Sequence, residues 1–298
     1  MTFSLRTRFK GRAFAFGAVF LMSLAPILMK LGMLQSLDAI PLLTLRFLLA
    51  ALVLWPIFFI VDRRVLRIQR KQLLPLLLAS AIFAASYLLY SLALPYIGAS
   101  IDHMLVAVSP AVVLFLLFLD GRRVGSHSLT RLGLVLLGLF LLIAPTGSLS
   151  LVGILLGLGM TLTYGGFLFF VEKWLPDVPS MTVTLYVDSF VALFLSAVYL
   201  VQYRGWVPVT SDGWWIIAFT GLFSTALAHF FFVSSVKTIG SGETALINPF
   251  ETVFTVIWAL LFLGEVLTPT QWLGGALILV SAFLIGRQLA VNTAQPLP

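Results

Sequence analysis

The chain has 298 residues, of which 60% are hydrophobic and 10% are charged, and its mean hydropathy is +1.09. Soluble domains are roughly half apolar and a quarter charged, so this composition excludes a water-soluble globular fold and indicates a protein surrounded by lipid. The net charge of +7 does not indicate a nucleic-acid partner, because the Lys and Arg residues lie between apolar runs. Since the sequence has no cysteine, disulfides and thiolate metal sites are excluded.

Apolar runs long enough to cross a bilayer predict about ten transmembrane helices. The runs lie at about 13–33, 40–61, 73–94, 99–119, 131–146, 150–171, 181–201, 214–235, 241–263 and 271–290. The first run follows a basic segment, as in a signal peptide, but it is too long and lacks a clear cleavage site, so we predict a retained helix. Turn residues separate the runs, and Thr268-Pro269-Thr270-Gln271 predicts a capping box at the start of the last helix.

The positions of Lys and Arg predict the orientation of these helices, because positive residues stay on the cytoplasmic side. With a cytoplasmic N-terminus, most of the 18 Lys and Arg residues fall in cytoplasmic segments, Arg204 falls in an external loop, and Lys30 and Arg46 fall within spans. We therefore expect a multi-pass protein of the plasma or inner membrane with both termini in the cytoplasm. The basic loop 62–71 also suits contact with anionic lipid.

The two halves of the chain show weak internal similarity. One constant shift aligns Ile97-Gly98 with Ile239-Gly240 and Gly133 with Gly275. Such matches suggest a five-helix unit used twice, over residues 1–147 and 148–298. Because five is odd, the second copy enters the membrane from the opposite side, as in many secondary transporters. The predicted fold is an all-α integral membrane protein with ten transmembrane helices in two inverted five-helix repeats.

Three motifs in the predicted spans combine polar and small residues in a specific order. They are Leu45-Arg46-Phe47-Leu48-Leu49-Ala50-Ala51 in the second span, Pro249-Phe250-Glu251-Thr252-Val253-Phe254 with Leu263-Gly264-Glu265 in the ninth, and Gly274-Gly275-Ala276-Leu277-Ile278 in the tenth. They resemble the EamA-type transporters of the drug/metabolite transporter superfamily, over nearly the whole chain. The chain departs from that family at Arg122-Arg123, where Gly-Glu is usual. The resemblance implies a 5+5 inverted repeat, a central cavity and export of amino acids, metabolites or drug-like amphiphiles.

Ionisable residues within spans are costly, so each one is a candidate for a functional site. Glu251 lies about halfway along the ninth span, just after Asn248-Pro249, where proline removes a backbone donor. Ser109-Pro110 interrupts the fourth span near the related position, and paired interruptions of this kind indicate a midplane binding site. We hypothesise that Glu251 binds a proton or a substrate cation, with Asn248 and Ser109 at the same site. The alternative is a Glu that bonds a neighbouring helix and stabilises the fold.

Aromatic residues in the third and eighth spans are candidates for the wall of the same site. Phe83, Tyr87 and Tyr90 follow helical spacing, and His229 occupies the position that matches Tyr87 under the repeat shift. These side chains are amphipathic, so related positions would line opposite sides of one cavity. The alternative role for such aromatic stripes is packing or lipid contact.

The remaining polar residues in the spans leave their roles open. Lys30 and Arg46 either extend to the interface or project inward to bind a carboxylate or to pair with Glu251 or Asp188. Asp188 itself pairs with a cation or faces water.

Three further features are predicted to be structural. Asp102 and His103 are expected to form a solvated helix start, and Gly240-Ser241-Gly242 is expected to form a turn between the eighth and ninth spans. Trp258 is expected to contact lipid.

These features predict a secondary transporter, not an enzyme, that exports a small amphipathic metabolite by alternating access, with proton coupling as an option. We expect a small-molecule substrate, membrane lipid and protons as partners, with no nucleic acid, cofactor or metal, and a monomer or homodimer. The sequence has no GxxxxGK[ST] motif, so a gradient or an exchanged solute would supply the energy.

One alternative is an uncoupled facilitator or exchanger. Another is a membrane-embedded transferase, although His103, His127 and His229 lack metal-ligand spacing and no GxSxG motif occurs.

Overall fold

The computed structural model describes residues 5–35, 37–121, 126–143, 150–203, 209–245 and 247–294, and all regular structure within these ranges is helical. The α-helices are α1 Leu5–Leu34, α2 Ala39–Val61, α3 Arg70–Val106, α4 Ser109–Leu119, α5 Ser126–Ile143, α6 Leu151–Trp174, α7 Ser180–Tyr203, α8 Ser211–Gly221, α9 Ala228–Ala245, α10 Pro249–Phe262 and α11 Pro269–Ala294. A 3₁₀ turn spans Arg63–Leu66, and a π-helical segment, Leu222–Leu227, joins α8 to α9. The prediction of an all-helical chain is confirmed for the described residues.

The described helices have the length and composition of a multi-pass membrane protein. Six segments are long and apolar enough to cross a bilayer: Phe9–Leu34, Ala39–Val61, Arg70–Val106, Leu151–Trp174, Met181–Tyr203 and Ser211–Phe232. Four shorter apolar helices accompany them: Ser109–Leu119, Leu132–Leu142, Pro249–Phe262 and Pro269–Leu284. Large apolar side chains also cover the outside of the bundle, as at Ile60, which is 81% exposed. Such an outer surface is stable against hydrocarbon and unfavourable in water.

Proline and capping residues set several helix starts. Pro110 and Pro249 lie in the first turns of α4 and α10, where a missing N–H is tolerated. At the start of α11 the backbone N–H of Thr268 donates to Gln271 Oε1 at 2.9 Å, and the N–H of Gln271 donates to Thr268 Oγ1 at 3.3 Å. The predicted capping box is therefore confirmed.

Glycines allow helices from different parts of the chain to approach closely. α5 crosses α11 where Gly138 faces Gly274, and a Cβ at Gly274 would lie 2.6 Å from the Gly138 carbonyl oxygen. On α6, Gly153 and Gly157 lie against Ile97 of α3, and the two helices pack along much of their length. Only a residue without a Cβ permits such backbone contact.

The helix boundaries in the two halves differ. In the first half, α3 breaks at Gly98, which has φ 76° and ψ 163°, and this agrees with the predicted boundary between the third and fourth spans. In the second half, α9 continues to Ala245, so the turn predicted at 240–242 is wrong. A glycine in a helix interior costs only about 1 kcal/mol. Packing of α9 on α1, where Ile239 and Thr238 cover Gly11, offsets that cost.

Candidate functional site

A cavity of about 280 Å³ lies at the centre of the bundle. Its walls come from α1, α2, α3, α6, α7 and α9, together with the π-helical segment and the start of α10. Both halves of the chain therefore contribute residues to it. A concave site of this size, with apolar walls and a few polar groups, is typical of small-molecule binding sites.

The structure brings most of the predicted site residues to this cavity. Six of the eight predicted site residues line it: Arg46, Tyr87, Tyr90, His229, Asn248 and Glu251. Lys30 and Ser109 are not among the lining residues. Ser109 is buried at the start of α4, where its carbonyl oxygen faces Gly165 of α6. Lys30 instead donates from Nζ to the carbonyl oxygen of Leu94 at 2.5 Å.

Glu251 faces His103 across the cavity. The Nε2 atom of His103 lies 3.4 Å from Glu251 Oε1, and the two side chains come from α3 and α10, in different halves of the chain. This separation is longer than a normal hydrogen bond, so the contact is loose. The Glu251 side chain is 28% exposed, whereas that of His103 is 7% exposed. Glu251 is therefore the more accessible member of the pair for a solute in the cavity.

A second histidine–carboxylate pair lines the cavity. His229 Nδ1 lies 2.6 Å from Asp188 Oδ2, and the Asp188 side chain is 2% exposed. So short a contact between buried groups is a charge-assisted hydrogen bond, which fixes both side chains. Asp188 therefore pairs with a ring nitrogen of His229, which resolves the alternatives left open for it.

Arg46 projects into the protein interior. Its side chain is 5% exposed, and Nε donates to Thr225 Oγ1 at 2.7 Å. The guanidinium carbon also lies 5.7 Å from the centre of the Tyr87 ring, a cation–π distance. Extension of Arg46 to the membrane interface is therefore wrong. Thr225 lies in the π-helical segment, and such segments are frequent at functional sites.

Aromatic rings form one wall of the cavity. Phe83 stacks on Phe167, with ring centres 4.2 Å apart and planes 18° apart, and its ring meets Tyr87 edge to face at 4.9 Å. Tyr164 lines the same wall. The predicted aromatic spacing on α3 therefore faces the cavity rather than lipid, and its stacking partners come from α6. The wall provides an aromatic apolar surface in the same cavity as the charged groups, with Arg46 directly against the Tyr87 ring.

Several polar atoms at the cavity lack hydrogen-bond partners among the described residues. They are Tyr90 Oη, His103 Nδ1, Ser224 Oγ and Asn248 Oδ1. A buried polar atom without a partner is unfavourable by about 1–3 kcal/mol. In this conformation the four atoms are buried in the cavity wall, so a polar ligand reaches them only where a side chain moves.

A separate polar cluster surrounds the break in α3. The carboxylate of Glu265 accepts the backbone N–H of Ala99 at 2.6 Å and that of Ser100 at 2.9 Å. Lys30 bonds the carbonyl oxygen of Leu94 on the other side of Gly98. The resemblance had flagged Glu265 only as part of a motif, and its contact across 166 residues has no local sequence signal.

The prediction about Asp102 and His103 is wrong. Asp102 is fully buried, with 0% of its surface exposed, so it is not part of a solvated helix start. Its neighbour His103 is 5% exposed and lines the cavity. Trp258 is half-buried, and its Nε1–H donates to Ser23 Oγ at 3.0 Å, so it links α10 to α1. Sequence hydropathy places residues by depth and carries little information on which helix they face.

Comparisons with known proteins agree with this architecture. The EamA-like transporter family model matches residues 9–144 and again residues 151–287. Over 154 residues the chain is 23% identical to the uncharacterized transporter YwfM of Bacillus subtilis (strain 168). This alignment covers 51% of this chain and 52% of that protein. Over 185 residues it is 26% identical to an uncharacterized transporter of Archaeoglobus fulgidus. This alignment covers 62% of this chain and 66% of that protein. The matched part thus spans about half to two thirds of these relatives.

A solved crystal structure has the same fold. It superposes with a TM-score of 0.63 and 18% sequence identity, covering 96% of this chain and 99% of that chain. Identity at this level is evidence for the fold alone. Because the two family matches together account for most of the sequence, the chain belongs to the EamA-like transporter family.

Proposed function

We propose that this chain is a secondary transporter that exports a small amphipathic solute, such as an amino acid or a drug-like compound, by alternating access. The observation that carries the proposal is the central cavity, which Arg46, Asp188 and Glu251 line together with aromatic rings, inside a bundle that is apolar on its outside. Ionisable groups in a membrane bundle are retained where they face a substrate path. The proposal does not involve a cofactor or an enzymatic reaction.

The arrangement of the helices supports ten membrane spans in two inverted repeats, 1–147 and 148–298. Six apolar segments are long enough to cross a bilayer, and the break at Gly98 separates the second part of α3, which continues into α4, from the first, so the described helices are compatible with ten crossings. In the first half α3 and α4 flank a break before Pro110, and in the second half α9 and α10 flank one before Pro249. Interrupted helices at corresponding places of two repeats are typical of alternating-access transporters.

Contacts between helix ends support cytoplasmic termini. At one end, the Tyr186 hydroxyl donates to the Leu66 carbonyl oxygen at 2.8 Å, next to the basic loop, and Lys173 pairs with Asp120. At the other end, the Tyr203 hydroxyl donates to Asp38 Oδ2 at 3.0 Å. We name the first of these the basic end, defined by loop 62–69. Positive residues collect on the cytoplasmic side, so we assign the basic end to the cytoplasm.

The charges in the cavity favour a solute that carries both signs of charge or a strong dipole. Arg46 provides a fixed cation, and Glu251 provides an accessible carboxylate. The rings of Phe83, Tyr87 and Phe167 suit an apolar or aromatic part of the solute. Asn248 and Tyr90 line the same cavity, and we assign them to orienting the polar part of the solute.

Glu251 is the residue that we assign to coupling. Its contact with His103 is loose, so a proton or a solute cation replaces the histidine without breaking a strong bond. Exchange between a proton and a solute at one carboxylate links the two fluxes. The tight pair of Asp188 and His229 is assigned to holding α7 against α9.

The first test identifies a solute. Purified protein is screened by thermal shift against amino acids, nucleosides and organic cations, because a ligand of the native state raises the melting temperature. We expect at least one class to stabilise the wild type and to lose about tenfold in affinity with Glu251→Gln, a change of about 1.4 kcal/mol. The matched control is Asp177→Asn, at an exposed loop residue. Equal affinity in wild type and Glu251→Gln would contradict the assignment.

The second test measures coupling in liposomes. The stabilising solute is supplied with and without an imposed pH gradient, and its accumulation is followed in wild type and Glu251→Gln. A proton-coupled exporter concentrates the solute only with the gradient, and the variant does not concentrate it. An uncoupled facilitator equilibrates the solute under both conditions, which would overturn the coupling role.

A further inference from the structure

Asp102 is a buried carboxyl outside the cavity that the proposed function does not use. It lies one turn after the Gly98 break in α3, is 0% exposed, and neither Oδ1 nor Oδ2 has a hydrogen-bond partner among the described residues. Its Oδ1 atom points at the backbone of α6, 3.6 Å from the position that a Cβ of Gly157 would occupy. It is not among the residues that line the cavity.

The groups around Asp102 are few. Asp102 interacts electrostatically with the charges of Lys30 in α1 and of Glu265 in the loop after α10. It also interacts with the Tyr90 hydroxyl in α3. Its chain neighbour His103 faces Glu251 in the cavity. Lys30 is the nearby cation, but its Nζ donates to the Leu94 carbonyl oxygen and makes no ion pair with Asp102 in the described structure.

An ionised carboxylate in this position would be unfavourable. Burial of a charge without a paired charge or a hydrogen bond costs several kcal/mol, whereas a neutral carboxyl costs far less. The carboxylate of Glu265, by contrast, is hydrogen-bonded. It accepts the backbone N–H groups of Ala99 and Ser100, which lie three and two residues before Asp102. The geometry therefore suits a proton on Asp102 and a negative charge on Glu265.

We propose that Asp102 is a proton-binding site that is occupied in this conformation and that controls the break in α3. When water reaches the Asp102 carboxyl, its proton passes to the water. The carboxylate that remains then attracts the Lys30 ammonium away from the Leu94 carbonyl oxygen. The Leu94 carbonyl then loses the bond from Lys30 that ties α1 to α3 four residues before the break, and α3 loosens at Gly98 on the side opposite the basic end. Proton loss at Asp102 is thereby linked to opening on that side.

This site is independent of the solute that the cavity binds. Asp102 and Glu251 lie in different helices, and only Glu251 faces the cavity. Failure of the coupling role of Glu251 would leave the Asp102 proposal unaffected. Each residue is therefore tested with the other as its control.

The first test is difference infrared spectroscopy of the protein in lipid as the pH is stepped upward. We expect wild type to lose a band of a protonated carboxyl, Asp102→Asn to lack that band, and Glu251→Gln to keep it. Asp102→Glu should restore a titrating carboxyl band, which shows that the Asn variant did not lose it by misfolding. The proposal is overturned if wild type shows no such band, or if Asp102→Asn retains it.

The second test measures opening at the break. Because the sequence has no cysteine, Ser100→Cys introduces one buried thiol next to Gly98 without background. The rate of thiol labelling is compared between Ser100→Cys and Ser100→Cys combined with Asp102→Asn, so that the pH dependence of the thiol itself cancels. We expect the ratio of the two rates to rise about tenfold from acidic to alkaline pH. A ratio that stays constant with pH would refute the link between Asp102 and the break.

Discussion

Two interruptions of the helices, at Gly98 and at Asn248-Pro249, differ in how their polar groups are satisfied. At Gly98 the carbonyl oxygen of Leu94 accepts from Lys30, and the amides of Ala99 and Ser100, just after the break, donate to Glu265. At the start of α10 the Asn248 side chain makes no capping bond, and its Oδ1 has no partner among the described residues. The first break is closed by protein groups, whereas the second leaves polar groups for a ligand.

This difference separates polar groups that stabilise the closed conformation from polar groups that are assigned to the solute. A hydrogen bond to a charged group contributes about 1.5–3 kcal/mol, so Glu265 and Lys30 stabilise the folded bundle where the backbone is broken. Unpaired groups beside a cavity reduce stability and gain partners only when a solute binds. Variants at the Gly98 break should therefore change the free energy of unfolding, whereas variants at Asn248-Pro249 should change the affinity for the solute.

The largest expected loss of stability follows from Glu265→Ala. The change removes the acceptor of two backbone N–H groups, so the free energy of unfolding should fall by about 3 kcal/mol or more. Thermal unfolding of the purified protein in detergent measures this as a lower melting temperature. Asp177→Ala, which removes an exposed carboxylate, serves as the control. An equal melting temperature for both variants would show that Glu265 does not close the break.

A comparable loss is expected from Gly98→Ala. Alanine at φ 76° and ψ 163° is strained by about 1–3 kcal/mol, because this conformation is adopted almost only by glycine. Its Cβ would also lie 2.8 Å from Glu265 Oε1 and would displace that carboxylate. Gly264→Ala is the matched control, because Gly264 has φ 62° and an alanine Cβ there would meet no atom of the described residues within 4 Å. To isolate the contact with Glu265, Gly98→Ala is also measured in the Glu265→Ala background, where it should cost less; an equal cost in both backgrounds would contradict the role of the contact.

The smallest effect on stability is expected from Asn248→Ala. The Asn248 oxygen is buried and has no partner among the described residues, so its removal should change the free energy of unfolding by less than about 1 kcal/mol. Binding of the solute found by thermal shift should weaken about tenfold, because an orienting group of the cavity is lost. Isothermal titration and thermal unfolding of the same preparation test both parts. A strongly destabilised variant with unchanged binding would reverse the assignment of the two breaks.

Much of the fold was accessible from the sequence, because its signals are local. Apolar runs predicted the helices, and Pro110 and Pro249 marked two helix starts that the structure contains. The turn at Gly240 was wrong because packing on α1 outweighs the helix propensity of a few residues. Local patterns do not report such tertiary contacts.

The site was only partly predictable. Spacing placed Tyr87 and Tyr90 on one face of α3, and the Pro interruption pointed to Glu251, all of which line the cavity. The partners of the carboxylates were not predictable, because His229 and Asp188 are 41 residues apart and come from different helices. Asp102 was misplaced because depth along a helix does not determine which neighbour covers a residue.

The most direct measurement compares one chemical change at the two breaks, Glu251→Gln and Glu265→Gln, in parallel. For each variant, thermal unfolding is recorded without solute and with the solute that stabilises wild type. We predict that Glu251→Gln melts close to the wild-type temperature and is no longer stabilised by the solute. Glu265→Gln should melt at a lower temperature and still be stabilised by it, since one amide loses its acceptor while the cavity keeps its carboxylate. The reverse pattern would contradict the account.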